Sequence, residues 1–362
     1  MRLKTLLASF AILAGSVLYA QNVVKPAALP PTRDQFLATF GSYIDALRTQ
    51  AGIPGITGAI IGDTDILWAQ PFGQRDLASS DLMRTDTPFQ LDGLTELFTA
   101  TMVMQCVDRG TTTLDSPIGV YTPSSPDANA TVGQVLTHTT GTLGNLSYNY
   151  NPARLETLKF VLEVCNKLTF RQSFTQTLQR LGMMDSVPGP DAHLPELSNA
   201  DVASPADAAR YQQILYRLAT PYAVDLANVP TVTSYGVKTL GAAYGLVSTI
   251  FDFAKFDLAL KQGLLLRPET LKLAWSNPVN ASGAVLPHGL GWFVQSYNGE
   301  PVVWQFGIEP AVSSALVIIL PNRNLTLLLL ANSDGLAKPA SLTAGDVTVS
   351  PFARVFLGLV VR

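Results

Sequence analysis

Apolar positions recur every three to four residues in DQFLATFGSYIDALRTQAG (34–52), which predicts a helix that stops at a glycine. The next run, ITGAIIGDTDILWAQPFG (56–73), changes period: two β-rich stretches surround a GDTD turn and predict a hairpin. From about 90 to 260 the helical period returns, in LFTATMVMQCVDRG, ARLETLKFVLEVCNKL and FDFAKFDLALKQG. Beyond 288 it gives way to strands again: GLGWFVQSY, VVWQFG, SSALVIIL and NLTLLLLAN, separated by NG, PNRN and SDG turns. A last helical stretch, SPFARVFLGLV, follows. The economical arrangement is α+β. One antiparallel sheet is built from N- and C-terminal strands (about 35–88 and 288–362) and flanked by terminal helices, with a largely helical region (about 89–287) inserted. Residues 35–362 then form a single domain.

The N-terminus predicts export. Arg2 and Lys4 precede the apolar run LLASFAILAGSVLYA, which ends at Ala20 before a polar pair, the order of a secretory signal peptide (1–20). A Pro-containing leader (21–34) follows, and no other segment suggests a membrane span, so a periplasmic or extracellular location is expected. The formal charge of −3 and the absence of a Lys/Arg run argue against nucleic acid. Export permits a disulfide between Cys106 and Cys165, but both lie in apolar, helix-like runs, so free thiols are expected. His138, His193 and His288 are far apart and show no zinc-ligand spacing, so neither a metal nor a cofactor is expected.

Several framework segments follow in a fixed order: TDTPFQLDGLTELFTATMVMQCVDRGTTTLDSPIGVYTP, ATVGQVLTHTTG, RLGMMDS, AAYGLVSTIFDFAKF, HGLGW and LTLLLLANSDG. Together they resemble the serine β-lactamase and penicillin-binding-protein-like hydrolases, especially the class C and esterase-like branch, over about 35–335. The resemblance implies a Ser-x-x-Lys motif at a helix start, with serine acylated and lysine easing removal of its proton. In this chain those two positions are Gly93 and Glu96. Thr95 lies roughly 200° around the helix and cannot substitute. The implied Tyr-x-Asn motif falls on Tyr150-Asn151-Pro152, with Tyr148 as a rival for the tyrosine. The implied Lys-Thr-Gly or His-x-Gly strand reads Gln305-Phe306-Gly307, and His138 falls on a turn where the resemblance makes it structural.

Losing a nucleophile or its base costs on the order of 10⁶ in kcat in a serine protease. The resemblance therefore implies an exported, β-lactamase-related pseudoenzyme with a ligand- or partner-binding cleft formed by Gly93, Glu96, Tyr150, Asn151, Gln305, Gly307 and Ile308. The backbone N–H groups of Gly93 and Ile308 should persist as an oxyanion hole, and glycine should leave room at the helix start. Restoring serine and lysine at 93 and 96 should then recover slow ester hydrolysis. Exchange of cations for Glu96 and Gln305 disfavours carboxylate ligands and favours a neutral or cationic small molecule, or a cell-envelope component. The alternative is an active hydrolase working through Glu96 and Tyr150 by a non-standard route. Oligomeric state is not legible.

Overall fold

The computed structural model describes residues 33–142, 145–198, 201–338 and 341–361. The expected signal peptide and nearly all of the leader lie outside them.

The two ends of the chain build one sheet. Strands β1 (Gly55–Ile61), β2 (Ile66–Asp76) and β3 (Asp81–Leu82) come from the N-terminal side. A small hairpin, β4 (Thr139–Thr142) and β5 (Asn145–Tyr148), stands apart from that sheet. The C-terminal side supplies β6 (Phe293–Tyr297), β7 (Glu300–Glu309), β8 (Ser313–Leu320) and β9 (Leu325–Ala331). The sheet order is β6-β7-β8-β9-β1-β2-β3, and every pairing is antiparallel. Last strand meets first through the register Ile56↔Ala331 to Ile61↔Thr326, so the sheet closes the two chain ends together.

Strands β1 and β8 are buried along their whole length, which explains why they read as continuous apolar runs rather than alternating ones. Each face packs its own core. Ile56, Ile60, Leu316, Ile318, Leu327 and Leu329 meet helices α1 (Arg33–Gln50) and α6 (Pro351–Val360). Ala59, Ile61, Val317, Ile319, Leu328 and Leu330 face the inserted region. There lie α2 (Thr95–Asp108), α3 (Leu158–Asn166), α4 (Phe170–Arg180) and α5 (Ile250–Lys261). Each fully buried aliphatic side chain contributes about 1.5–3 kcal/mol. The same period of two assigns Trp304 and Phe306 to the terminal-helix side and Val303 to the other. Gln305 and Gly307 share the face of Val303, and so look toward the start of α2.

One expectation, that of free thiols, is overturned, and the largely helical inserted region carries short strands besides: Phe89–Gln90, Leu246–Ser248 and Val187–Pro188 form a three-stranded sheet, and Tyr222–Val224 pairs with Pro230–Val232. Strands of two or three residues are too short to show a period. The cysteines are not free. Cys106 and Cys165 form a disulfide, because α2 and α3 pack side by side and bring the two Cα atoms to 6.1 Å. Each thiol looked like an ordinary core residue in its own helix, and only the helix pairing joins them. Closing a loop with a sequence separation of 59 stabilises by about 4 kcal/mol on the chain-entropy estimate.

Candidate functional site: the start of α2 against strand β7

A short 3-10 turn, Asp92–Leu94, leads into α2. Asp92 takes φ +47, a left-handed conformation that Asp tolerates better than most residues. This turn presses against β7. A Cβ placed on Gly93 would lie 2.5 Å from the Phe306 carbonyl oxygen, and one on Gly307 would lie 2.8 Å from Gly93 N. The obstacles are backbone atoms, which cannot rotate away. The expected room at the helix start is therefore absent: the strand backbone occupies the space a serine side chain would need. Glycine at both positions is what permits the approach.

One helical turn further on, Glu96 is fully buried. Its Oε1 accepts a hydrogen bond from His138 Nε2 at 3.1 Å and lies 3.7 Å from His288 Nε2. Its Oε2 has no hydrogen-bond partner. Each ring's other nitrogen fixes its tautomer. His138 Nδ1 accepts the Asn151 N–H at 3.2 Å, so the proton of its neutral ring sits on Nε2, facing Glu96. His288 Nδ1 donates to the Gly289 carbonyl at 2.9 Å, so its Nε2 presents a lone pair. The Gln305 amide approaches that lone pair at 3.5 Å, while Gln305 Oε1 accepts from Phe306 N at 2.9 Å.

Burial dominates the electrostatics. It lowers His288 to about 3, with His138 adding to the effect, and lowers His138 to about 3, with the Arg154 charge adding. It raises Glu96 to about 7, against a smaller lowering from His288. Both imidazoles are neutral, so the Glu96–His138 contact is a hydrogen bond rather than an ion pair.

Tyr150 completes the cluster by packing. Its ring lies 4.6 Å from that of His138 and 5.6 Å from that of Phe306, and its hydroxyl carries no hydrogen bond among the described residues. Burial, then the Glu96 charge, raises its ionisation well above 10, which makes it a poor proton carrier. Tyr148 donates its hydroxyl to the Thr343 carbonyl at 2.8 Å and is tied to the C-terminal segment instead. Thr95 also faces elsewhere, its Oγ1 accepting from Leu246 N at 3.3 Å.

Gly93, Glu96, Tyr150, Asn151, Gln305 and Gly307 are thus linked through contacts with one another or with His138 and His288. Ile308 sits half-buried beyond Gly307, paired with Ser314 in the sheet. Two residues were undervalued from sequence. His138 is a direct partner of Glu96 rather than a framework residue, and His288 in HGLGW joins it although 150 positions separate them. Far apart in sequence, the two histidine rings lie 4.6 Å from each other. Glu96, His138 and His288 place their ligating atoms within 4.8 Å of one another. Nothing local signals this, because the fold and not the spacing assembles the set.

A second polar cluster lies on the other side of Gly93. Buried Asp92 accepts from Ser313 Oγ at 2.9 Å through Oδ2, while Oδ1 has no partner. Burial raises it to about 8, and the nearby Glu309 charge adds to this. Glu309 in turn accepts the N–H groups of Gly236 and Val237.

The family described as Beta-lactamase matches residues 40–347. Penicillin-binding protein 4 of Amycolatopsis lactamdurans is 34% identical over 116 residues, an alignment spanning 28% of this chain and 28% of that protein. This chain therefore matches well under a third of that relative's length. The octameric penicillin-binding protein homologue from Pyrococcus abyssi superimposes with a TM-score of 0.70 at 18% identity, over 89% of this chain and 77% of that one. SurE gives a TM-score of 0.67, also at 18% identity, over 90% and 76%. At that identity the likeness is one of fold. With the matched region reaching from α1 to the residues just before α6, and with the expected sheet in place, the chain belongs to the β-lactamase family.

Proposed function

We propose that this protein is an exported member of its family in which serine acyl transfer has been replaced by a closed, hydrogen-bonded polar cluster. The observation that carries the reading is the contact at Gly93. The position that should hold the nucleophile has no side chain, and the Phe306 carbonyl stands 2.5 Å from where one would begin. Glu96 supports it, because a buried carboxylate beside two neutral imidazoles supplies no positive charge to stabilise an ionising hydroxyl. The Cys106–Cys165 disulfide supports export, since such bonds persist in oxidising compartments. Among the described residues no helix is long and apolar enough to cross a membrane.

The role left to the site is binding. Its unpartnered Glu96 oxygen, fully buried with both imidazoles, favours a cation and disfavours a carboxylate. An alternative hydrolase built on Glu96 has one feature in favour, an ionisation raised to about 7 that would suit a general base. Against it, no hydroxyl hydrogen-bonds to Glu96 among the described residues, and burial disfavours the ionised form of Tyr150. A panel of aryl esters and a chromogenic β-lactam, tested on chain lacking residues 1–20, should give rates indistinguishable from buffer. Saturable turnover lost in Glu96→Gln would instead establish the alternative.

A further inference from the structure

We propose that Glu96, His138 and His288 form a binding site for a divalent first-row transition-metal ion, structural rather than catalytic in role. The inference rests on the reading that this pocket no longer houses a serine nucleophile. Two imidazoles and one carboxylate are a zinc-type donor set, and their ligating atoms all lie within 4.8 Å of one another. The Glu96 oxygen stands 3.1 Å from His138 Nε2 and 3.7 Å from His288 Nε2, separations that ligands sharing one ion adopt.

The surroundings treat the ligands unequally. His288 is oriented for it: its Nδ1–H is anchored on the Gly289 carbonyl, the outer contact that typically orients a metal-bound imidazole, while the Gln305 amide, 3.5 Å from its Nε2, must withdraw for an ion to enter. Glu96 Oε2 is buried without any partner, an arrangement that a cation would relieve. His138 is not prepared. Its Nε2 carries the proton that now bridges to Glu96, and its Nδ1 accepts from Asn151 N–H at 3.2 Å. Metal entry therefore replaces that bridging proton. The proton moves to Nδ1, and the Asn151 N–H turns out of its contact. His288 and Glu96 take the ion first, and His138 closes the set. All three side chains are fully buried, so the bound ion would hold α2, the turn before β4 and the loop before β6 together without meeting substrate.

The test uses the chain lacking residues 1–20, stripped with a chelator and equilibrated with Zn²⁺ against a chromophoric competitor. Co²⁺ serves as a spectroscopic probe. The expected result is one equivalent of metal per chain, ligand-field bands with Co²⁺ and a rise in Tm on loading. Glu96→Gln and His288→Ala should each weaken binding by about tenfold or more, the scale on which even outer-sphere changes act. His193→Ala, which removes the remaining histidine, should not. Circular dichroism and Tm check that each variant folds, and the near-isosteric Glu96→Gln decides if His288→Ala does not. No uptake by the parent chain overturns the proposal, as does uptake that both variants leave intact. Serine labelling is a separate readout. Labelling together with metal uptake would contradict only the loss of acyl transfer, while neither labelling nor uptake would contradict only the metal site.

Discussion

Asp92 and Glu96 are two buried carboxylates four positions apart, set on either side of the Gly93 contact with β7. Each keeps one oxygen without a hydrogen-bond partner, and burial raises each, to about 8 and about 7. Their neighbours differ. Asp92 has a hydroxyl from Ser313 and the nearby negative charge of Glu309, so its stable form carries a proton. Glu96 has two neutral imidazoles and no second carboxylate among its contacts, so its negative charge can be met by a shared ion. The same cost of burial thus leads to a proton in one place and to a candidate cation site in the other. The deciding factor is what the fold brings alongside.

The harshest way to break this contrast is Glu96→Lys, which puts a cation where the family resemblance implies one. With both histidines neutral, the ammonium would be buried unpaired, and the fold should lose about 3–5 kcal/mol in chemical denaturation. A stability equal to the parent's would mean that the cluster accepts positive charge and has been misread.

Asp92→Asn probes the other side. The folded-state value of Asp92 lies above its unfolded value, so its contribution is fully present below about 4 and is lost as pH rises toward about 8. Asn cannot ionise. The variant should therefore match the parent near pH 4 and exceed it by a few kcal/mol near pH 8, measured as the difference between two denaturation profiles. Parallel profiles would remove the proton from the account of Asp92.

Gly93→Ala should cost about 1–3 kcal/mol through overpacking against Phe306. For the same reason Gly93→Ser with Glu96→Lys should yield no ester hydrolysis, contrary to what the sequence suggested. Tyr150→Phe has the smallest expected effect, under about 1 kcal/mol, because stacking and not its hydroxyl holds the ring. A larger loss would reveal a hydrogen bond that matters.

Much of the fold could be read from the chain. Runs such as SSALVIIL and NLTLLLLAN are long enough to declare strands, and helix α3 is marked by its apolar period, with Leu158, Val161 and Leu162 buried on one face. Gly93, Glu96 and Gln305, singled out by framework segments on both sides, do lie in one region of the structure, around the start of α2 and β7. Three things were not legible. The approach of β7 to Gly93 is a matter of tenths of an ångström between backbones, invisible to any residue pattern. The Cys106–Cys165 bond needed the pairing of α2 with α3. The Glu96–His138–His288 set joins a helix start, a tight turn with His138 at φ +50, and a loop before β6. Each histidine by itself resembles a core residue, and only the assembled sheet face brings them together.

The most direct test of the central claim is intact-protein mass after incubation with a fluorophosphonate and, separately, with a penicillin. Measured beside a labelling-competent serine β-lactamase, this chain should keep its unmodified mass with both reagents over times that saturate the control. A stoichiometric adduct, mapped by peptide analysis to a single serine, would contradict the account and show that the nucleophile had moved rather than disappeared.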